Sequence, residues 1–109
     1  MSHCLLQSIS LLQYRELAQQ IYNVTKTFTD NMQLESPLTA ILLVGGTDVE
    51  TDISNFKQHG GNIVIATPGR LEDIMNRLGS EFKVKELEVL ILDEADRYYH
   101  SICVRFLNT

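Results

Sequence analysis

The chain of 109 residues and 12.4 kDa has room for one small domain with a single core, and not for two. Its 44% apolar and 21% charged residues exclude disorder over most of the length. A net charge of -5 and a pI near 5.0 exclude a broadly basic surface, so any binding of phosphate has to be local.

The first candidate element is LLQSISLL at residues 5–12, apolar and β-branched enough for a strand although Gln7 and Ser8 interrupt it. Over 15–30, Leu17, Ile21, Val24 and Phe28 recur at spacings of four, three and four, which predicts an amphipathic helix with that stripe turned to the core. A polar connector over 31–37 ends in proline. LTAILLV at 38–44 then reads as a strand covered on both faces. Gly45-Gly46 ends it, and Thr47 with Glu50 has the Thr-x-x-Glu spacing of a capping box opening a helix that buries Val49, Ile53 and Phe56. Gly60-Gly61 stops this helix. NIVIA at 62–66 is a further strand, and Thr67-Pro68-Gly69-Arg70 turns into a helix whose buried side is Leu71, Ile74, Met75 and Leu78. Gly79-Ser80 breaks it, and a charged stretch leads to VLIL at 89–92, followed directly by Asp93-Glu94-Ala95-Asp96.

Strands alternating with helices predict an α/β fold: right-handed crossovers give a parallel sheet with helices on both faces. In such sheets ligands bind beyond the carboxyl ends of the strands. Gly45-Gly46, Thr67-Pro68-Gly69-Arg70 and the acidic quartet each follow a strand, so all three are expected on one rim.

Each segment has two readings on its own. Asp93 to Asp96 has the form of a Walker B element, a carboxylate held rigidly for Mg²⁺ beside an acid that orients a water, and equally that of an acidic helix start facing solvent. The Thr67–Arg70 segment offers a hydroxyl, a bare backbone at Gly69, helix-start amides and a guanidinium, a set suited to a phosphodiester backbone, or it is a turn with proline near the first helical position. Gly45-Gly46 either lets a phosphate approach or makes a tight turn. Cys4 and Cys103 have no CxxC or His-spaced partner and read as reduced structural thiols. His3, His59 and His100 are isolated. No run approaches the roughly eighteen apolar residues of a membrane span, and no secretory signal opens the chain, so an intracellular protein is expected.

Taken in order, RELAQQI at 15–21, GG at 45–46, ATPGR at 66–70 and VLILDEADR at 89–97 resemble the first RecA-like domain of DEAD-box ATP-dependent RNA helicases. FKQHGGNIVIATPGRLEDIM at 56–75 looks most like the nucleolar subgroup that serves large ribosomal-subunit assembly, which implies a nuclear or nucleolar location. The resemblance implies use of ATP and Mg²⁺ and coupling of ATP hydrolysis to RNA strand separation. Asp93 would hold Mg²⁺ through water, Glu94 would act as base or water-orienting group, and Asp96 would link the ATP site to the rest of the machine. Arg15, Gly45, Gly46, Thr67, Gly69 and Arg70 would contact the sugar-phosphate backbone of one RNA strand without reading its sequence.

The chain also departs from that family. It holds no Gly-Lys dipeptide, so the P-loop that cradles the triphosphate is not in it, and neither are the adenine-reading Gln segment, the Ser-Ala-Thr motif or the second RecA-like domain. Gln13-Tyr14 stands where the family has Pro-Thr, and residues 98–109 leave the family pattern, as do residues 1–11. The expectation is a partial RecA-like domain over 1–109 that does not hydrolyse ATP alone. The alternatives are a non-catalytic RNA- or partner-binding fragment and an inactive truncated product. A domain lacking its P-loop strand is expected to expose apolar edges and faces of LTAILLV and VLIL, with marginal stability or aggregation.

Overall fold

The computed structural model describes residues 6–33, 35 and 37–93; Glu94, Asp96, Cys4, Cys103, His3, His100 and the stretch 98–109 lie outside the described residues. Four short strands, β1 (Ser8–Leu11), β2 (Ala40–Leu43), β3 (Ile63–Ala66) and β4 (Val89–Leu92), form one parallel sheet in the order β2-β3-β1-β4. Three helices connect them: α1 (Arg15–Asn31), α2 (Val49–His59) and α3 (Pro68–Leu78). Two short 3-10 turns, Gly79–Glu81 and Val84–Glu86, complete the passage to β4.

The register places Leu43, Ala66, Leu11 and Leu92 in one row, so the four strands end level. Alternation along the strands sorts side chains onto two faces. Ile9, Leu11, Leu43, Val64 and Ala66 join Leu71, Ile74, Met75 and Leu78 of α3 in the larger core, with Val49, Ile53 and Phe56 of α2 packed against it. Phe56 stacks on Phe82 with ring centroids 5.3 Å apart, closing that side. On the other face Leu12, Ala18, Val44 and Ile65 form a smaller core under α1.

Two local expectations are corrected. Most of the α1 stripe does not face the core: Ala18 is buried and Leu17 packs against the smaller core, while Ile21, Val24 and Phe28 are 37%, 56% and 68% exposed. The helix approaches the sheet on its small residue, and the larger stripe lies about a quarter turn away around the axis. Helix α2 begins one residue later than the Thr47 capping box. Its cap is Asp48, whose carboxylate accepts from the Glu50 amide (3.3 Å) and from the Thr51 hydroxyl (3.2 Å), while the Thr47 hydroxyl is engaged by Val44 O and Arg70 instead. Strand β4 does expose an apolar face, as expected of VLIL. Leu90 and Leu92 pack on the core, but Val89 and Ile91, in register with Ser8 and Ser10, point to the face that α1 leaves uncovered and are 48% and 52% exposed.

The helix over Pro68–Leu78 buries the four residues expected of it, and Gly79 caps it with a φ of 56°. Strand β1, in the stretch read as leaving the family pattern, is an interior strand bonded to both β3 and β4.

Candidate nucleic-acid interface

Beyond the level strand ends the backbone ladder runs on for one more residue. The amide of Leu12 donates to Ala66 O (2.9 Å), that of Thr67 to Leu43 O (3.0 Å) and that of Asp93 to Leu11 O (3.0 Å). Each loop therefore leaves the sheet from a fixed point. Across the rim the order is Gly45-Gly46 from β2, Thr67 to Arg70 from β3, Arg15 from β1 and Asp93 from β4. At about 4.8 Å per strand the whole row spans roughly 14 Å, with Asp93 about 10 Å along the rim from the β3 loop.

The loops touch one another. Gly46 has a φ of +92°, and a Cβ built there would meet Arg15 Nη1 at 2.5 Å and Cζ at 3.2 Å, so the Arg15 guanidinium lies directly on the Gly46 backbone. Arg15 is exposed and forms no ion pair with a described residue. An uncompensated cation is thus held on this rim in a chain of net negative charge. Gly45 and Gly69 are the opposite case: a Cβ at either would meet nothing within 4 Å, and neither has a positive φ. Neither packing nor backbone conformation requires glycine there, and both present bare backbone to solvent.

The first turn of α3 is open as well. Thr67, its N-cap, makes no side-chain capping bond, and Pro68 has no amide to offer, so the Gly69 and Arg70 amides head the helix at its positive end. The start of α2 is closed by Asp48. Arg70, expected to touch RNA directly, turns inward. Its Nη2 donates to Thr47 O (2.7 Å), its Nη1 donates to Thr47 Oγ1 (3.1 Å) and pairs with the Asp52 carboxylate. Thr47 and Asp52 went unnoticed in the sequence as its partners. The only signal for Asp52 is an acid flanking the Val49–Ile53–Phe56 stripe, and many solvated acids share that position.

For a divalent cation the described residues supply the half-buried Asp93, and no group of three or more His, Cys, Asp or Glu side chains comes together among them. A carboxylate at a strand end suits an ion that keeps most of its waters and takes its other ligands from phosphate. No helix among the described residues is long and apolar enough to cross a membrane.

A parallel α/β sheet with glycine loops, an arginine and an acid leaving one rim has the architecture of domains that bind ligands at strand carboxyl ends. The chain belongs to the DEAD/DEAH box helicase family, whose profile matches residues 5–105. It is 51% identical over 87 residues to the ATP-dependent RNA helicase DDX55 of Xenopus laevis, a match covering 76% of this chain and 14% of that protein. It is 45% identical over 83 residues to the DEAD-box ATP-dependent RNA helicase 18 of Oryza sativa subsp. japonica, covering 76% of this chain and 12% of the relative. The chain thus spans about one-seventh of the length of the relatives it matches. In fold it resembles the crystal structure of a hypothetical ATP-dependent RNA helicase from Sulfolobus tokodaii, with a TM-score of 0.68 at 24% identity, over 94% of this chain and 28% of that one.

Proposed function

We propose that this chain is the RNA-gripping portion of the first RecA-like domain of an ATP-dependent RNA helicase, over residues 1–109. The observation that carries the reading is the pair of open glycines, Gly45 and Gly69, on one rim with the exposed cation Arg15. A Cβ at either glycine would meet no described atom within 4 Å, which leaves room for a partner's backbone to come close. Arg15 supplies charge to a phosphate, Gly45, Gly46 and Gly69 supply close-approaching backbone, and Thr67 supplies a hydroxyl that its own helix leaves unused. All of these groups recognise sugar and phosphate and none reads a base edge, which suits an enzyme that acts on RNA of any sequence. Arg70 belongs to the same interface from behind, as a tie between its loops.

Asp93, on the far side of the rim, and the acids Glu94 and Asp96 that follow it in sequence serve the nucleotide. Asp93 would hold Mg²⁺ through water, with Glu94 orienting the attacking water and Asp96 relaying to the RNA side. Bound Mg²⁺ would neutralise charge that develops on the triphosphate. With no Gly-Lys turn in its sequence, the chain alone binds RNA without turning over ATP. In the whole protein, ATP hydrolysis would be coupled to RNA strand separation. Its similarity to DDX55, itself named an ATP-dependent RNA helicase, together with the segment at 56–75, supports work in the nucleus or nucleolus on large ribosomal-subunit assembly.

Titration of a labelled single-stranded RNA by fluorescence anisotropy tests this. Wild type binds, its affinity falls with added salt as phosphate contacts require, and Gly69→Ala and Arg15→Gln both bind more weakly, with a shallower salt dependence for Arg15→Gln. Equal binding by all three proteins contradicts the assignment.

A further inference from the structure

We infer that Asp52 is a positioning residue for RNA binding: acting through Arg70 and Thr47, it locks the Gly45-Gly46 loop and the first turn of α3 into one rigid surface. The inference rests on the RNA-gripping reading above and extends it to a residue that touches no RNA.

Arg70 stands in the first turn of α3 and reaches across to the start of α2, joining positions 23 and 18 residues away in sequence. Three of its five N–H donors are committed within the protein. Nη2 holds the Thr47 carbonyl at 2.7 Å, and Nη1 holds the Thr47 hydroxyl at 3.1 Å and the Asp52 carboxylate. The same Thr47 hydroxyl donates to Val44 O at 3.2 Å, on the near side of the two glycines. A chain of bonds therefore runs from Asp52 to Arg70 to Thr47 to Val44 and brackets Gly45 and Gly46 between fixed ends.

The pair is no ordinary surface ion pair. The Arg70 and Asp52 side chains are 11% and 14% exposed, whereas Arg77 and Glu50, the other link between α3 and α2, are 46% and 69% exposed. Exposed pairs contribute little, but a buried pair loses much when one partner is removed. Asp52 thus neutralises Arg70 and aims it, so that Arg15 carries the unpaired charge beside the glycine loops while Arg70 sets the distance between the two glycine surfaces.

Two roles for the pair predict opposite signs. If Asp52 merely sequesters Arg70, its removal releases a guanidinium to phosphate and tightens RNA binding, as does the loss of any acid near a polyanion. If Asp52 positions the loops, its removal weakens binding against that electrostatic trend. The test is anisotropy titration of labelled single-stranded RNA with this chain across a salt series, with circular dichroism confirming that each variant is folded at the temperature used. Asp52→Asn is expected to weaken binding on the order of tenfold, the scale of mutations that act on a site through a neighbour, with the salt slope unchanged because no phosphate contact is lost. Asp52→Glu recovers most of the affinity. Thr47→Val, which removes only the hydroxyl link, weakens binding several-fold and serves as the readout should Asp52→Asn fail to fold. Unchanged binding by Asp52→Asn and Thr47→Val, or tighter binding with a steeper salt slope, overturns the inference while leaving the RNA reading intact if Gly69→Ala still weakens binding. A wild-type chain that binds no RNA overturns both.

Discussion

At Gly46 the backbone takes a φ of +92°, which strains any side chain there, and a Cβ would also displace the end of the exposed Arg15 side chain. Gly46→Ala is therefore expected to destabilise the fold by about 1–3 kcal/mol, the range for a residue forced into a sparsely populated backbone region, as measured by urea unfolding. Gly69 has neither constraint and lies in the first turn of a helix, where alanine is the better helix former by up to about 1 kcal/mol. Gly69→Ala should leave stability unchanged or raised while RNA binding falls; a loss of both together would mean that packing had required the glycine. Single-residue chemistry was legible where a residue punctuates the chain: Gly45, Gly46, Thr67 and Gly69 stand out because each interrupts a periodic segment. The inward turn of Arg70 was not legible. Its partners lie 18 and 23 residues upstream, and only the crossing of two helix starts over the rim brings them within bonding distance.

The elements were legible from period and punctuation, and what failed was the facing of one helix. Helix α1 has the periodic stripe of a buried helix, yet it meets the sheet through Ala18, and Phe28 remains 68% exposed. Periodicity reports that one side of a helix is apolar; it does not say which neighbour takes it up. Leu71, fully buried in α3, gives the contrast. Leu71→Ala should cost about 2–5 kcal/mol as a cavity in a packed core, and Phe28→Ala less than about 0.5 kcal/mol as a surface change. Comparable losses in denaturant melts would show α1 packed on its stripe after all. Strand β4 poses the same question for a sheet, since Val89 and Ile91 expose an apolar face next to Ser8 and Ser10. Exposed apolar strand surface drives self-association. Sedimentation of the wild-type chain should show oligomers that Ile91→Lys reduces, and a monodisperse wild type with no response to the substitution would count against it.

For the whole molecule, the parallel α/β architecture follows from the alternation of short apolar strands with helices, because each crossover must return over a face of the sheet. The spatial order β2-β3-β1-β4 was not legible, since nothing in the sequence says that the first crossover passes over the position later filled by β3. That order has a functional consequence. It sets the Gly45-Gly46 and Thr67–Arg70 loops next to each other, brings Arg15 onto Gly46, and leaves Asp93 on the outer strand, so the groups proposed for RNA and the acid proposed for the nucleotide divide the rim between them. The chain is small enough for its backbone amides to be followed one by one by NMR while single-stranded RNA is added. On this account the amide signals of Gly45, Gly46, Gly69 and Arg70 shift together along one titration curve, and that of Val89 at the opposite end of the sheet stays in place. Shifts that leave these four amides untouched, or that gather instead at the amino ends of the strands, would contradict it.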